Sequence, residues 1–231
     1  MVNLSEDAGR AFIQQHTVVA TPSLVPEIKL HLATEITPLW EAKEVLLQKI
    51  NVDPPYWAFA WPGGQALARY ILDHPHKFQG KTLFDFGAGS GLGAIAALIA
   101  GAYRSIANDC DITACIAMAM NAALNNCILT IDREDWLDRD PDAEIILVGD
   151  MCYERIASTR ILPWLRRLAQ MKMVLLADPG RYYAPTDGLE ELACYDVATS
   201  LELEDRSSRV TTVWRLKPHG EIKHLQRADG K

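Results

Sequence analysis

Asp85 closes a short apolar run, Leu83-Phe84-Asp85-Phe86, and Gly87, Gly89, Gly91 and Gly93 follow it at alternate positions. The chain then opens into Ala94-Ile95-Ala96-Ala97-Leu98-Ile99-Ala100, a helix-forming run stopped by Gly101. Strand, glycine turn and helix make a corner where a ligand can sit against bare backbone and a helix N-terminus. A dinucleotide fingerprint needs Gly-x-Gly-x-x-Gly, and here its third glycine position falls on Leu92. Asp85 also sets a negative charge at the turn, which repels pyrophosphate and suits an ammonium group. S-adenosylmethionine (SAM) has an α-ammonium, a sulfonium and no phosphate. A second apolar run, Ser105-Ile106-Ala107-Asn108, ends at Asp109, where a doubly wound fold hydrogen-bonds ribose hydroxyls. Asp111 lies at the same tip and can share or replace that role. Asp85, Gly87, Gly89, Gly91 and Asp109 are therefore the expected SAM contacts.

A second group capable of chemistry is Asp150-Met151-Cys152-Tyr153, directly after the apolar run Ile145-Ile146-Leu147-Val148-Gly149. In an open α/β sheet ligands react at the carboxyl ends of the strands, which sets Asp150 and Tyr153 beside a sulfonium methyl. An acid and a phenol there can accept hydrogen bonds from an amine. An Asp after a strand serves equally well as a helix N-cap, and spacing alone leaves both roles open.

The elements that must position these groups are legible in outline. Glu6 to Gln15 reads as a short amphipathic helix, and Pro26 to Leu32 alternates as a strand with one buried face. Leu39 to Ile50 reads as a helix, after which Pro54-Pro55 breaks the chain. Beyond Asp85 the expected order is a helix over Asp111 to Asn125, strands over Ile128 to Ile131 and Glu144 to Val148, a helix over Thr159 to Gln170 and a strand over Met173 to Ala177. Cys194 to Leu203 and Arg209 to Leu216 have no long helix between them, so they fit an antiparallel hairpin. The expected fold is α/β: a Rossmann-like, seven-stranded, mostly parallel sheet with a C-terminal antiparallel hairpin and an N-terminal extension. The expected boundaries are an extension over 1–53, the SAM-binding domain over 54–218 and a polar tail over 219–231.

Composition narrows the classes. A chain of 231 residues that is 49% hydrophobic can bury one good-sized core. No apolar stretch is long enough to span a bilayer, and the acidic start Met1 to Asp7 lacks a signal-peptide layout, so no membrane association is expected. The five cysteines never occur as Cys-x-x-Cys and the six histidines form no pair at helical spacing, so the thiols read as reduced and no metal site is expected. A net charge of −7 weighs against a nucleic-acid partner and suits a substrate that carries surface lysine. Asp53-Pro54-Pro55-Tyr56 matches the signature of DNA-base amino methyltransferases. The interval from Tyr56 to Asp85 is too short for the strands and helices a permuted order requires, so a proline-stiffened entry to the fold is the better reading.

Seven strands with a final hairpin resemble the class I SAM-dependent methyltransferases from about Gln79 to Pro218. Asp150 and Tyr153 resemble the Asp-x-x-Tyr motif of lysine methyltransferases of that class. The ordered set Pro55 to Leu67, Ala107-Asn108-Asp109, Gly149 to Tyr153 and Asp178-Pro179-Gly180-Arg181 resembles the electron transfer flavoprotein β-subunit lysine methyltransferases. Glu27 to Thr34 and Thr211-Thr212-Val213-Trp214 extend the likeness. The resemblance implies that Trp61 and Gly63 flank SAM; taken alone, Trp61-Pro62-Gly63-Gly64 is an aromatic turn opening a helix, and Trp61 could equally be a core residue. Asp135 and Trp136 fit the usual adenine edge, an acid facing the amino group and an aromatic covering the ring, in the stretch that departs most from the family. The resemblance further implies a protein-lysine N-methyltransferase that takes the flavoprotein β-subunit as its substrate, with Asp150 and Tyr153 orienting the amine. Arg181 is expected to shape its loop or to meet an acidic partner. The start of the chain has no mitochondrial presequence, so a bacterial, cytoplasmic, monomeric member is expected. The competing readings are a ribosomal-protein lysine methyltransferase, a nicotinamide-dependent oxidoreductase using the same corner, and a non-catalytic SAM-fold binding module.

Overall fold

The computed structural model describes residues 5–33, 55–199 and 206–218. The helix expected over Leu39 to Ile50 lies outside them. Helix α1 (Glu6–His16) begins at Ser5, whose hydroxyl accepts the Ala8 N–H, and acidic Glu6 and Asp7 sit at the positive end of its dipole. A small antiparallel pair follows, β1 (Val18–Ala20) with β2 (Leu30–Leu32). Only the end of the strand expected from Pro26 is extended, because Pro26 and Glu27 form a turn. Helix α2 (Pro62–Asp73) then leads to the main sheet.

That sheet runs β5-β4-β3-β6-β7-β9-β8 and has the seven strands and final hairpin expected. Strands β3 (Thr82–Phe86), β4 (Arg104–Asn108), β5 (Thr130–Asp132), β6 (Ile145–Gly149) and β7 (Met173–Asp178) are parallel, while β9 (Ser208–Leu216) pairs antiparallel with both β7 and β8 (Leu189–Ala198). The chain moves outward from β3 through β4 to β5, then returns to the other side of β3 with β6. The switch point therefore lies between β3 and β6, and ligands of open α/β sheets bind in the crevice it opens.

Strand alternation assigns the two faces. Leu83, Leu147, Leu175 and Val213 pack against α2 and α3 (Leu92–Ile99), together with Val25, Ile28 and Leu30 of the N-terminal segment. Phe84, Phe86, Val148 and Leu176 pack against Trp164, Leu165 and Leu168 of α5 (Arg155–Leu168). Ile13 of α1 shares a third cluster with Trp57, Ala94, Ala107 and Met118 of α4 (Ile112–Leu124). The N-terminal segment thus shares the core of the sheet. Among the described residues no helix is long and apolar enough to cross a membrane.

Candidate active site

The turn after β3 depends on glycine: Gly87, Gly89 and Gly91 have φ of 65°, 52° and 78°, the left-handed region where a side chain is strained. Gly91 is the N-cap of α3 and has no side chain to satisfy the helix's first N–H groups. Asp85 supplies that acceptor from the strand, its Oδ2 receiving the Ala94 N–H at 2.9 Å. Gly93 is required for the approach, since a Cβ there would stand 2.9 Å from the same oxygen. The alternation of β3 therefore turns Asp85 inward beneath α3, 5% exposed, and not out toward the mouth of the turn as its position in the sequence suggested.

Burial drives the Asp85 carboxyl from its ordinary 3.8 up to about 7; the Ala94 N–H opposes the rise and the Asp109 charge adds to it. A raised pKa means that between about pH 4 and pH 7 the folded chain keeps a proton that the unfolded chain releases, so this group lowers stability as pH rises. Asp85→Asn retains an acceptor for Ala94 and cannot ionise. From about pH 5 to pH 8 the wild type should lose roughly 3 kcal/mol more stability than this variant. Parallel thermal-melting profiles for the two proteins would refute the assignment.

Asp109, at the tip of β4, is half-buried and braces the same turn. Its Oδ2 accepts the Gly89 N–H and its Oδ1 the Asp111 N–H, each at 3.0 Å. A carboxylate has about four lone-pair sites, so capacity remains for ribose hydroxyls. Asp111 is the N-cap of α4, accepting the Thr113 N–H at 2.8 Å.

The loop after β5 is organised by Asp132, a residue that no motif in the sequence singles out. Its Oδ1 accepts Trp136 Nε1–H and the Glu134 N–H, both at 2.8 Å. Asn108 Nδ2 donates to the backbone oxygens of Asp132 and Glu134, tying this loop to β4. The Trp136 ring packs edge-on against Phe84 at 5.3 Å, at the margin of the α5-side core. Asp135 is exposed, and its carboxylate accepts the Leu137 N–H.

At the end of β6 the same capping device recurs. Trp61 is the N-cap of α2 and makes no side-chain cap bond. Asp150, with φ 55°, turns its carboxylate onto that helix, and Oδ2 accepts the Gly64 N–H at 3.0 Å. Asp150 is thus a cap, but of α2, far away in sequence; the N-cap of α5 is Glu154. Its other oxygen pairs with Arg181 Nη2 at 3.1 Å. Burial raises the Asp150 carboxyl to about 6, Arg181 opposing the rise and Asp178 adding to it. Arg181 also lies 5.8 Å from the Trp61 ring centre, and its backbone N–H donates to Asp178 Oδ1.

Aromatic rings cluster beside the Asp150–Arg181 pair. Tyr153 is 42% exposed, with its ring 5.6 Å from that of Tyr56. The Tyr56 ring lies 6.0 Å from Trp61, whose indole N–H donates to the Tyr56 carbonyl. Tyr56 belongs to one 3-10 turn (Tyr56–Ala58) that runs past the glycine loop, a Cβ on Gly89 coming within 3.7 Å of Trp57 Cα. In the sequence Tyr56 stands out only within the stretch Pro55 to Leu67 that carries the family likeness, and no spacing signal sets it beside Tyr153. The structure brings Trp61, Gly63, Asp150, Tyr153 and Arg181 together at the end of β6, and Asp85, Gly87, Gly89, Gly91 and Asp109 together at the adjacent end of β3. Met151 joins the two groups, because a Cβ on Gly87 would fall 2.4 Å from its sulfur.

The family model described as ribosomal protein L11 methyltransferase (PrmA) matches residues 65–147. The chain is 37% identical over 217 residues to the electron transfer flavoprotein beta subunit lysine methyltransferase of Xenopus laevis, with 90% of this chain and 87% of that one covered. To the protein of the same name from Homo sapiens it is 33% identical over 225 residues, covering 90% and 82%. A solved structure of a candidate RNA methyltransferase from Pyrococcus horikoshii superposes with a TM-score of 0.54 at 15% identity, over 75% of this chain and 95% of that one, a likeness of fold alone.

Proposed function

The chain belongs to the electron transfer flavoprotein β-subunit lysine methyltransferases, and from that premise we propose that it transfers methyl groups from SAM to a lysine of that flavoprotein subunit. The observation that carries the proposal is 37% identity in an alignment that covers 90% of the chain, the region after β6 as well as the glycine turn. The match to the ribosomal-protein methyltransferase model stops at residue 147, before Asp150 and Tyr153, and so does not bear on the substrate side of the site.

The left-handed glycine turn and the half-buried Asp109 suit SAM, with bare backbone for the aminoacyl end and a carboxylate for the ribose. Trp61 and Gly63 flank it in this reading, and the loop carrying Asp135 and Trp136 meets the adenine. Asp85 acts indirectly, by fixing α3 under the turn. Once bound, SAM supplies a methyl carbon on a sulfonium sulfur, which the lysine nitrogen displaces in line as S-adenosylhomocysteine leaves.

The protein's task is to present a neutral amine. Lysine has a pKa of about 10.4, and the adjacent sulfonium lowers it by like-charge repulsion. The proton passes to solvent, so Asp150 and Tyr153 need only hold the nitrogen by hydrogen bonds along the line of attack, which is where most of the acceleration lies. Each Asp150 oxygen keeps a lone pair beyond its bond to Gly64 or Arg181, so the carboxylate can accept the amine N–H with both contacts in place.

Labelled methyl transfer from SAM to the recombinant flavoprotein, followed by mass spectrometry of its β-subunit, tests the proposal directly. A methylated lysine in that subunit is the expected product; methylation of other proteins with the β-subunit unmodified would overturn it. For the donor side, Asp109→Ala should weaken S-adenosylhomocysteine binding by about 1.5–3 kcal/mol, through the lost bonds to a charged acceptor. Unchanged affinity in calorimetry would remove Asp109 from the site.

A further inference from the structure

Beside the Asp150 and Tyr153 corner lies a cavity of about 330 Å³ walled by Tyr153, Pro179, Gly180, Arg181, Tyr182 and Arg209. Its walls come from the ends of β6 and β7 and from β9, so it opens at the carboxyl edge of the sheet beside the reacting groups. Two arginines and two tyrosines line it, and among the described residues no acidic side chain does. The chain as a whole carries 30 acidic against 23 basic side chains. Its overall field therefore repels an acidic segment, whereas the described lining of this cavity offers such a segment two arginines. Arg181 forms one wall while paired to Asp150, and Arg209 faces the cavity from β9. Tyr182, 92% exposed, stands at the rim.

We propose that this cavity is a second recognition pocket, which receives the side-chain carboxylate of an Asp or Glu of the substrate polypeptide close to the target lysine, with Arg209 as the specificity-determining residue. The inference rests on the lysine-methyltransferase reading above. Tyr153 belongs both to the reacting corner and to this cavity. An extended residue advances about 3.3 Å, so the acid it receives lies one or two residues from the lysine. Planar guanidinium and phenol donors match a carboxylate, and the pair strengthens as the peptide excludes water from the cavity.

The test compares two short peptides on the full-length protein loaded with S-adenosylhomocysteine. Both carry one central lysine, flanked by Glu in the first peptide and by Gln in the second. The Glu peptide should bind about fivefold more tightly at low ionic strength, and added salt should erode the difference. Arg209→Gln should abolish the preference with S-adenosylhomocysteine affinity unchanged, while Arg209→Lys should retain part of it. Equal binding of the two peptides by the wild type, including no binding of either, overturns the proposal without recourse to a variant. A preference that survives in a folded Arg209→Gln protein overturns the role of Arg209. The readout does not depend on catalysis, so a failure of transfer to the flavoprotein refutes the function alone, and transfer with no peptide preference refutes the pocket alone.

Discussion

Asp150→Asn is expected to bind S-adenosylhomocysteine normally and to lose roughly 10²-fold in kcat/KM, the scale on which a single preorganised polar contact acts in a transition state. The substitution keeps size and one acceptor, while it removes the charge and turns an NH2 donor toward Arg181. Asn is among the few residues that tolerate the left-handed backbone found at Asp150, and its amide oxygen can still accept the Gly64 N–H. What disappears is the negative charge facing Arg181 and the incoming amine. Tyr153→Phe keeps the ring beside Tyr56 and removes only the hydroxyl, so it should also lower transfer, by less. The pH profile separates charge from packing. With its carboxyl near 6, Asp150 is ionised at neutral pH and gains a proton as pH falls through about 6. Wild-type kcat/KM should therefore fall more steeply below about pH 6 than protonation of the lysine alone requires, and that extra fall should be missing in Asp150→Asn. A folded Asp150→Asn enzyme with near-wild-type transfer would leave this acid as the cap of α2 and nothing more.

The two capping acids show what the sequence could and could not reveal. Period and composition were enough for the seven strands and the final hairpin, and for the glycine turn, because those signals are local. Asp111 lay within the expected helix, and the structure makes it the N-cap. Local reading failed where tertiary contacts set the boundaries. Ile128 is 94% exposed and lies outside β5, whose three residues pair only with β4 at the edge of the sheet. Helix α5 starts at Arg155, ahead of the expected Thr159. Strand β1 is too short to register as a period. The site was legible as a set of residue types, but not as an arrangement. Asp85 reaches a backbone N–H nine residues on, and Asp150 one 86 residues back, across the sheet. Nothing in the spacing of Gly63 and Gly93 marks them as the gaps through which these carboxylates approach. The ion pair of Arg181 with Asp150 was hidden for the same reason.

Gly63→Ala is expected to damage fold and catalysis together, against what helix propensity alone would forecast. Alanine in place of glycine inside a helix gains up to about 1 kcal/mol. Here, however, a Cβ at Gly63 would fall 2.5 Å from the Ala177 carbonyl oxygen and 2.5 Å from Asp150 Oδ2. Neither can give way: the carbonyl accepts the Asp150 N–H at 3.0 Å, and the carboxylate is fixed by Gly64 and Arg181. Relief requires the first turn of α2 to lift from the ends of β6 and β7, at an overpacking cost of about 1–3 kcal/mol that outweighs the propensity gain. Lifting it stretches the 3.0 Å bond from Gly64 to Asp150 and shifts Trp61 with it. A displacement of about 1 Å at a reacting group costs on the order of 10²-fold in rate, so transfer to the flavoprotein should fall by that factor while the melting temperature drops. Gly64→Ala supplies the control within the same turn, since a Cβ there meets nothing within 4 Å. That variant should be as stable as the wild type or slightly more so, and close to fully active. If Gly63→Ala proved as harmless as Gly64→Ala in both melting and transfer, the close seating of α2 on Asp150 would not be what positions that carboxylate.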